Sequence, residues 1–111
     1  MPEKRAHTRR LMREDAVLAD AASQARHPVV LLDISRLGVC FAIPALLDSG
    51  SRHILDFNLP GMPQLHETVV QVVHSTESGV RSGYRVGARF VHIRPEPSDS
   101  IVYFVSNSAP P

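Results

Sequence analysis

Short apolar runs recur along the chain, separated by residues that favour turns. The clearest interruptions are 48–51, 60–63 and 95–97, which are rich in glycine, proline, serine or aspartate. Runs of β-branched and aliphatic residues between such turns are typical of β-strands. The pattern therefore predicts an all-β fold made of short strands.

Six segments fit this description, and the predicted strands are 14–22, 27–34, 39–43, 53–59, 68–75 and 84–92. The first also fits a short helix because it is rich in alanine, but its strand-rich surroundings favour a strand. Five or six short strands, with turn signals about every ten residues, are typical of a small antiparallel β-barrel.

A short C-terminal helix is predicted after the last strand. The two prolines within 95–97 interrupt the strand pairing, and Ser98 or Asp99 is a candidate helix cap. The apolar residues that follow have helical spacing; they are Ile101, Phe104 and Val105.

Alternation of faces assigns side chains to the inside or the outside of the barrel. In strand 27–34, the residues predicted to fill the barrel are Val30, Leu32 and Ile34; those predicted outside, beside Asp33 and Ser35, are Val29 and Leu31. In strand 68–75, one face is predicted to carry Val70, Val72 and His74. In the last strand, the predicted inward residues are Tyr84, Val86, Ala88 and Phe90, and the predicted outward residues are Arg85 and Arg89.

Composition narrows the class of protein. The 111 residues suffice for one domain, 43% of them are hydrophobic, and no apolar run approaches the length of a membrane span. The N-terminus has no apolar stretch typical of a secretory signal. The single cysteine, Cys40, is predicted to be a small buried hydrophobe, as expected in a reducing cytoplasm.

Positive charge is concentrated at the N-terminus although the net charge is only +1. Five of the twelve basic residues lie within 1–13, namely Lys4, Arg5, Arg9, Arg10 and Arg13. This segment is predicted to be a flexible arm that becomes ordered against a partner or ligand; a solvated charged tail is the alternative. The barrel is then expected over 14–106 and a disordered tail over 107–111.

A candidate recognition site lies at the hairpin between the second and third predicted strands. Asp33 and Ser35 project from one face of a strand, and Gly38 permits a positive φ and close approach of a ligand to the backbone. These residues supply a carboxylate, a hydroxyl and bare backbone. The alternative is a turn in which Asp33 and Ser35 bond their own backbone.

No pattern indicates an enzyme or a metal site. The six histidines show no close metal-ligand spacing, and one cysteine cannot build a thiolate site. Ser35 does not lie in a nucleophile-elbow motif. Aromatic residues make up only 5% of the chain, which disfavours nucleic-acid binding by stacking.

The segment Asp33-Ile34-Ser35-Arg36-Leu37-Gly38 resembles the D/N-x-S-x-x-G motif of PilZ domains, and Arg5 and Arg9 resemble their R-x-x-x-R motif. Residues 83–90 also resemble the closing strand of that family. The resemblance implies a six-stranded barrel that binds the bacterial second messenger cyclic di-GMP on its outer surface, between arm and barrel.

The same resemblance implies roles for individual residues. Arg5 and Arg9 are expected to contact phosphate and guanine, and Asp33 and Ser35 to read the guanine edge, with Gly38 shaping the turn. Arg9 and Arg13 also satisfy R-x-x-x-R, so this register stays open. The additional arginines, Arg10 and Arg13, make a second ligand molecule possible, and His74 lies where some members of the family place a side chain that stacks on the ligand.

The expected function is therefore that of a cytoplasmic receptor without catalytic activity. Ligand binding would order the arm and signal to an unidentified protein effector in a process such as motility or biofilm formation. No membrane insertion and no nucleic-acid partner are expected, and the protein is expected to be a monomer or weak dimer. The alternative is a PilZ-like adaptor that does not bind the nucleotide.

Overall fold

The computed structural model describes residues 8–20, 22–77, 83–91 and 93–107. These residues form six strands and one helix: β1 (Arg9–Asp20), β2 (Arg26–Ser35), β3 (Gly38–Ile43), β4 (Arg52–Asn58), β5 (Leu65–Glu77), β6 (Tyr84–Val91) and α1 (Pro95–Ser106).

The six strands close into an antiparallel barrel in the order β1-β2-β3-β6-β5-β4, with β4 pairing back to β1. Closure gives each of the six strands a partner on both sides over at least part of its length, which limits strand addition from another chain. The all-β, six-stranded barrel with a short C-terminal helix is confirmed.

The interior is filled by aliphatic and aromatic side chains from every strand. The largest of those that are fully buried include Leu18, Leu31, Ile34, Phe41, Leu55, Phe57, Val70 and Val86. Burying each such side chain contributes about 1.5–3 kcal/mol, so this core is the main stabilising element of the fold.

Helix α1 packs against β1, β2 and β5 and completes the core with Ile101, Phe104 and Val105, as the helical spacing predicts. It begins at Pro95, earlier than the predicted cap at Ser98 or Asp99, and no side chain caps it. Proline is favoured in the first turn of a helix because its φ is preset and it needs no N–H partner there.

Strand β1 begins at Arg9, within the segment that was expected to be a flexible arm. Arg9 pairs with Ser35 and Leu11 with Asp33, so 9–13 belong to the barrel and the predicted boundary at residue 13 is wrong. The long β2 supplies backbone partners for this polar stretch. The predicted arm over 1–7 lies outside the described residues, as does the predicted tail except for Asn107.

A β-bulge in β2 reverses the predicted facing of its first half. Val29 and Leu31 are buried in the core, whereas Val30 and Leu32 are half-buried on the outside. Leu31 pairs with Phe41 but Asp33 pairs with the next residue, Cys40, so Leu32 is an extra residue. The insertion shifts the alternation, because a bulge places two residues opposite one.

The prediction for β5 is wrong at His74, and a second bulge is the reason. Val70 and Val72 are buried as predicted, but His74 is exposed on the outer face. Val72 pairs with Ala88 and His74 with Gly87, so Val73 is the extra residue. Without this bulge, period-two alternation would point His74 into the core.

Strand β6 has the predicted alternation. Its buried residues include Val86, Ala88 and Phe90, Tyr84 packs half-buried against the core, and Arg85 and Arg89 are exposed. Among the described residues, no helix has both the length and the apolar character needed to cross a bilayer.

Candidate functional site

A cleft of about 710 Å³ lies on the outer surface of the barrel. It crosses β1, β2, β3, β6 and β5 and is lined by Arg9, Leu11, Asp33, Leu37, Gly38, Val39, Cys40, Val73, His74, Arg85, Gly87, Ala88 and Arg89. Both ends of the predicted hairpin motif, Asp33 and Gly38, therefore contribute to one concave surface.

One row of directly paired residues forms the floor of the cleft. Across five neighbouring strands the partners are Leu11, Asp33, Cys40, Gly87 and His74. Paired residues on neighbouring strands lie about 5 Å apart, so these five residues are adjacent although they are far apart in sequence.

Bulges adjoin this row on three strands. The pairing shifts next to Leu11 in β1, next to Asp33 in β2 and next to His74 in β5. Bulges re-aim side chains and are over-represented beside functional sites. Here they direct Asp33 and His74 away from the core and onto the outer surface.

Arg9 and Asp33 form an ion pair at the β1–β2 side of the cleft. The Arg9 Nη1 atom donates to Asp33 Oδ1 at 2.5 Å, and only 11% of the Asp33 side chain is exposed. A charge-assisted bond of this length fixes both side chains. The carboxylate is therefore held at the cleft with its charge compensated by the guanidinium.

Ser35 is used by the turn itself. Its hydroxyl accepts hydrogen bonds from the backbone N–H groups of Leu37, at 3.2 Å, and Gly38, at 3.3 Å. The residue is almost fully buried and is not among those that line the cleft. The backbone-turn alternative thus describes Ser35, whereas Asp33 bonds Arg9.

The reason for glycine at position 38 differs from the prediction. The residues with positive φ among the described ones do not include Gly38, so no left-handed conformation is required. A Cβ at this position would instead overlap the backbone carbonyl oxygen of Ala88 on β6. Gly38 allows β3 and β6 to approach each other directly after the turn, a geometry that the Leu37 carbonyl also supports by accepting from Phe90 N–H at 2.9 Å.

Of the four arginines predicted to bind the ligand, Arg5 lies outside the described residues; of the three that are described, Arg9 lines the cleft. Arg10 instead donates to the carbonyl oxygen of Phe104 at 3.0 Å and stacks over that ring at 4.0 Å. Arg13 lines a separate groove of about 440 Å³ beside β2 and β3. The Arg9 and Arg13 side chains do not meet in this cleft.

Several cleft residues were missed by sequence reasoning. Cys40 was expected in the core but is half-buried on the outer face. Burial raises the pKa of its thiol above the usual value, and the Asp33 carboxylate acts in the same direction while Arg85 opposes it. Arg85 and Arg89 were correctly placed outside, but only the strand order β3-β6 shows that they face the motif.

Three large apolar side chains are exposed at the cleft. Leu11 is 79%, Leu37 54% and Val73 52% exposed, and all three line the cleft. Exposed hydrophobic residues grouped in one place are typical of a binding site. The cleft therefore offers charged groups and apolar surface together.

A metal centre finds no support in the described part of the chain, since no three histidine, cysteine, aspartate or glutamate side chains come together there. The groups that the cleft presents are guanidinium, carboxylate, imidazole and thiol. They are suited to hydrogen bonding and ion pairing with an organic anion.

Comparison with solved structures shows the same fold. The PilZ domain with c-di-GMP of YcgR from Escherichia coli superposes with a TM-score of 0.75 and 18% identity, covering 96% of this chain and 92% of that one. Bacillus subtilis MotI/DgrA, an inhibitor of motility, gives 0.78 with 13% identity, covering 95% of this chain and 51% of that one.

A third similar structure is the Klebsiella pneumoniae MrkH–c-di-GMP complex, with a TM-score of 0.77 and 11% identity, covering 96% of this chain and 53% of that one. The chain thus spans about half the length of MotI/DgrA and MrkH. No curated protein matches it.

The family comparison agrees with the fold. A PilZ domain profile matches residues 3–107, which include all six strands, the helix and the cleft. The chain belongs to the PilZ domain family.

Proposed function

We propose that this protein is a receptor for cyclic di-GMP and that the ligand binds in the cleft described above. The observation that carries the proposal is the Arg9–Asp33 pair at the edge of a cleft completed by the Gly38 turn. Two structural neighbours, the PilZ domain of YcgR and MrkH, are complexes with c-di-GMP, which supports the choice of ligand.

The chemistry of the pair fits guanine and phosphate. The Asp33 carboxylate accepts the N–H donors on one guanine edge, while a guanidinium matches either the N7 and O6 acceptors or a phosphate. When the ligand binds, the ion pair between Arg9 and Asp33 opens. The Asp33 carboxylate then accepts from guanine N–H groups, and the Arg9 guanidinium donates to the ligand. Neither charge is left unpaired, so the desolvation cost is offset.

The other residues that the sequence predicts to bind the ligand have different roles. Ser35 and Gly38 hold the turn through the hydroxyl–amide bonds and the close strand contact. Arg5, four residues before Arg9, supplies the second arginine of the motif. Arg10 and Arg13 do not contact the ligand in this scheme, because the Arg10 side chain lies against α1 and the Arg13 side chain lies in another groove.

The signal passes through residue 9. Arg9 is the first residue of β1, so a ligand that holds its side chain acts where the N-terminal segment joins the barrel. Ordering of that segment creates a new surface for a protein effector. The protein works in this scheme without catalysis, in the cytoplasm, as a monomer or weak dimer.

Calorimetric titration with cyclic di-GMP tests the proposal, with GTP and a short oligonucleotide as competing ligands. Selective binding that is lost in both Arg9→Ala and Asp33→Ala supports it. Arg52→Ala is the matched control, because Arg52 is an exposed strand arginine in a different groove. A folded wild-type protein that binds no nucleotide would instead be a PilZ adaptor, and the receptor proposal would fail.

A further inference from the structure

Two arginines that belong to neither sequence motif face the cleft from β6. Arg85 and Arg89 are exposed, line the cleft and lie on either side of Gly87. They are four residues apart on a strand, so both side chains leave the same face. The β6 side of the cleft therefore has a cationic group on each side of a position without a side chain.

The charges on this side are not compensated by a carboxylate. Among the residues that line the cleft, one is acidic, Asp33, and its carboxylate is paired with Arg9. The ion pairs found among the described residues include neither Arg85 nor Arg89. An anion that enters the cleft is therefore attracted most strongly to β6.

Both arginines have neutral neighbours from which a phosphate would draw them. Arg89 Nη2 donates to the Gln71 amide oxygen at 2.7 Å, and Arg85 lines the cleft together with the Cys40 thiol. A thiol sulfur is a weak acceptor, whereas bonds from guanidinium to phosphate are charge-assisted and about twice as strong as neutral ones. Exchange of these partners for phosphate oxygens is favourable.

A flat ring covers the surface between the arginines. The imidazole of the exposed His74 lies over Gly87, so near that a Cβ on Gly87 would be 2.6 Å from the His74 Cε1 atom. Because residue 87 has no side chain, the ring lies against β6 and offers a planar surface to a nucleotide held between the two arginines.

We infer that Arg85 and Arg89 form a phosphodiester-binding subsite on β6, separate from the Arg9–Asp33 contact. The inference rests on the proposed function, since the phosphodiester is that of a cyclic dinucleotide. It belongs either to the ligand molecule that Asp33 contacts or to a second ligand molecule in the same cleft. The binding stoichiometry distinguishes these two sources.

The test is calorimetric titration of cyclic di-GMP into the wild type, the Arg85→Gln/Arg89→Gln double variant and Arg52→Gln as a control. Glutamine keeps hydrogen-bonding capacity and removes the charge. Because both arginines are exposed, the variant is expected to fold, and its melting temperature is measured to confirm this.

If the subsite holds the second phosphate of one molecule, the double variant keeps one ligand per chain and binds it at least about tenfold more weakly. If it holds a second molecule, the wild type binds two ligands per chain and the double variant one. Affinity and stoichiometry equal to the wild type would overturn the subsite and leave the proposed function standing. A wild type that binds no cyclic di-GMP would overturn both.

Discussion

The imidazole of His74 on β5 lies over Gly87 on β6, in the direct cross-strand position. The contact needs two features at once: the bulge at Val73, which turns His74 outward, and the missing side chain at residue 87. It creates a flat ring surface in the middle of the cleft, between two arginines of the same strand.

Gly87→Ala is expected to displace this ring with little cost in stability. The added Cβ would lie 2.6 Å from His74 Cε1, but that atom is the far end of an exposed side chain and can rotate away. We expect a loss in the free energy of unfolding below about 1 kcal/mol and a weaker affinity for cyclic di-GMP. Denaturant unfolding and calorimetry measure the two effects.

The double variant Gly87→Ala/His74→Ala separates the causes. If the loss of affinity comes from the displaced ring, the glycine substitution has no additional effect once His74 is alanine. An equal effect of Gly87→Ala with and without the imidazole would show that the methyl group itself obstructs the ligand.

Gly38→Ala is expected to be more destabilising than Gly87→Ala. Its Cβ would overlap the Ala88 carbonyl oxygen, which is backbone in the middle of β6 and cannot rotate aside. Overpacking of this kind costs about 1–3 kcal/mol. Urea unfolding of the two alanine variants side by side is the measurement, and equal stabilities would contradict the steric argument.

Arg10 is expected to stabilise the fold without contributing to ligand affinity. Its guanidinium donates to the Phe104 carbonyl at 3.0 Å and stacks on the Phe104 ring at 4.0 Å, so Arg10→Ala removes a charge-assisted bond and a cation–π contact. The two together correspond to roughly 2–4 kcal/mol. Thermal unfolding should show this loss.

The control for that experiment is Arg13→Ala. Arg13 is an exposed arginine on the same strand, in the groove beside β2 and β3, and its removal should change stability by less than about 0.5 kcal/mol. Calorimetry on both variants completes the comparison. A large loss of cyclic di-GMP affinity in Arg10→Ala, with the helix still packed, would place Arg10 in the ligand site.

The strands, their approximate bounds and the motif hairpin could be predicted because they depend on local patterns. Alternation in β6 correctly placed Arg85 and Arg89 on the outside. The facing of β2 and of His74 could not be predicted, since each depends on a bulge of one residue. Nothing in the apolar sequences around Leu32 and Val73 distinguishes an inserted residue from a regular one.

Only the part of the candidate site that lies on the hairpin between β2 and β3 could be predicted. Asp33 and Gly38 are five residues apart in sequence and reach the cleft together. Cys40 was misplaced because a lone cysteine in an apolar strand is usually buried. The β6 arginines became part of the site only through the order β3-β6 in the barrel, which is a long-range pairing that no local pattern encodes.

A buried histidine makes the barrel sensitive to acid. The Ser51 hydroxyl donates its one proton to the Asp48 carbonyl at 2.6 Å. It therefore accepts a hydrogen bond from His53 Nε2, which lies 3.0 Å away. His53 therefore carries its proton on Nε2, and the buried Nδ1 has no hydrogen-bond partner among the described residues. A second proton on Nδ1 would be a buried charge without an acceptor.

Burial accordingly lowers the pKa of His53 below its ordinary value of 6.5, with Asp20 opposing and His27 reinforcing the shift. Above pH 6.5 the imidazole is neutral in both the folded and the unfolded chain. Below it, the unfolded chain takes up a proton that the native state resists, so stability falls as the pH decreases towards the lowered pKa. Urea unfolding at pH 7.5 and 5.5 should therefore show a loss of stability that is smaller in His53→Gln, while His74→Gln controls for removal of an exposed imidazole. An equal pH dependence in wild type and His53→Gln would show that His53 is not the group responsible.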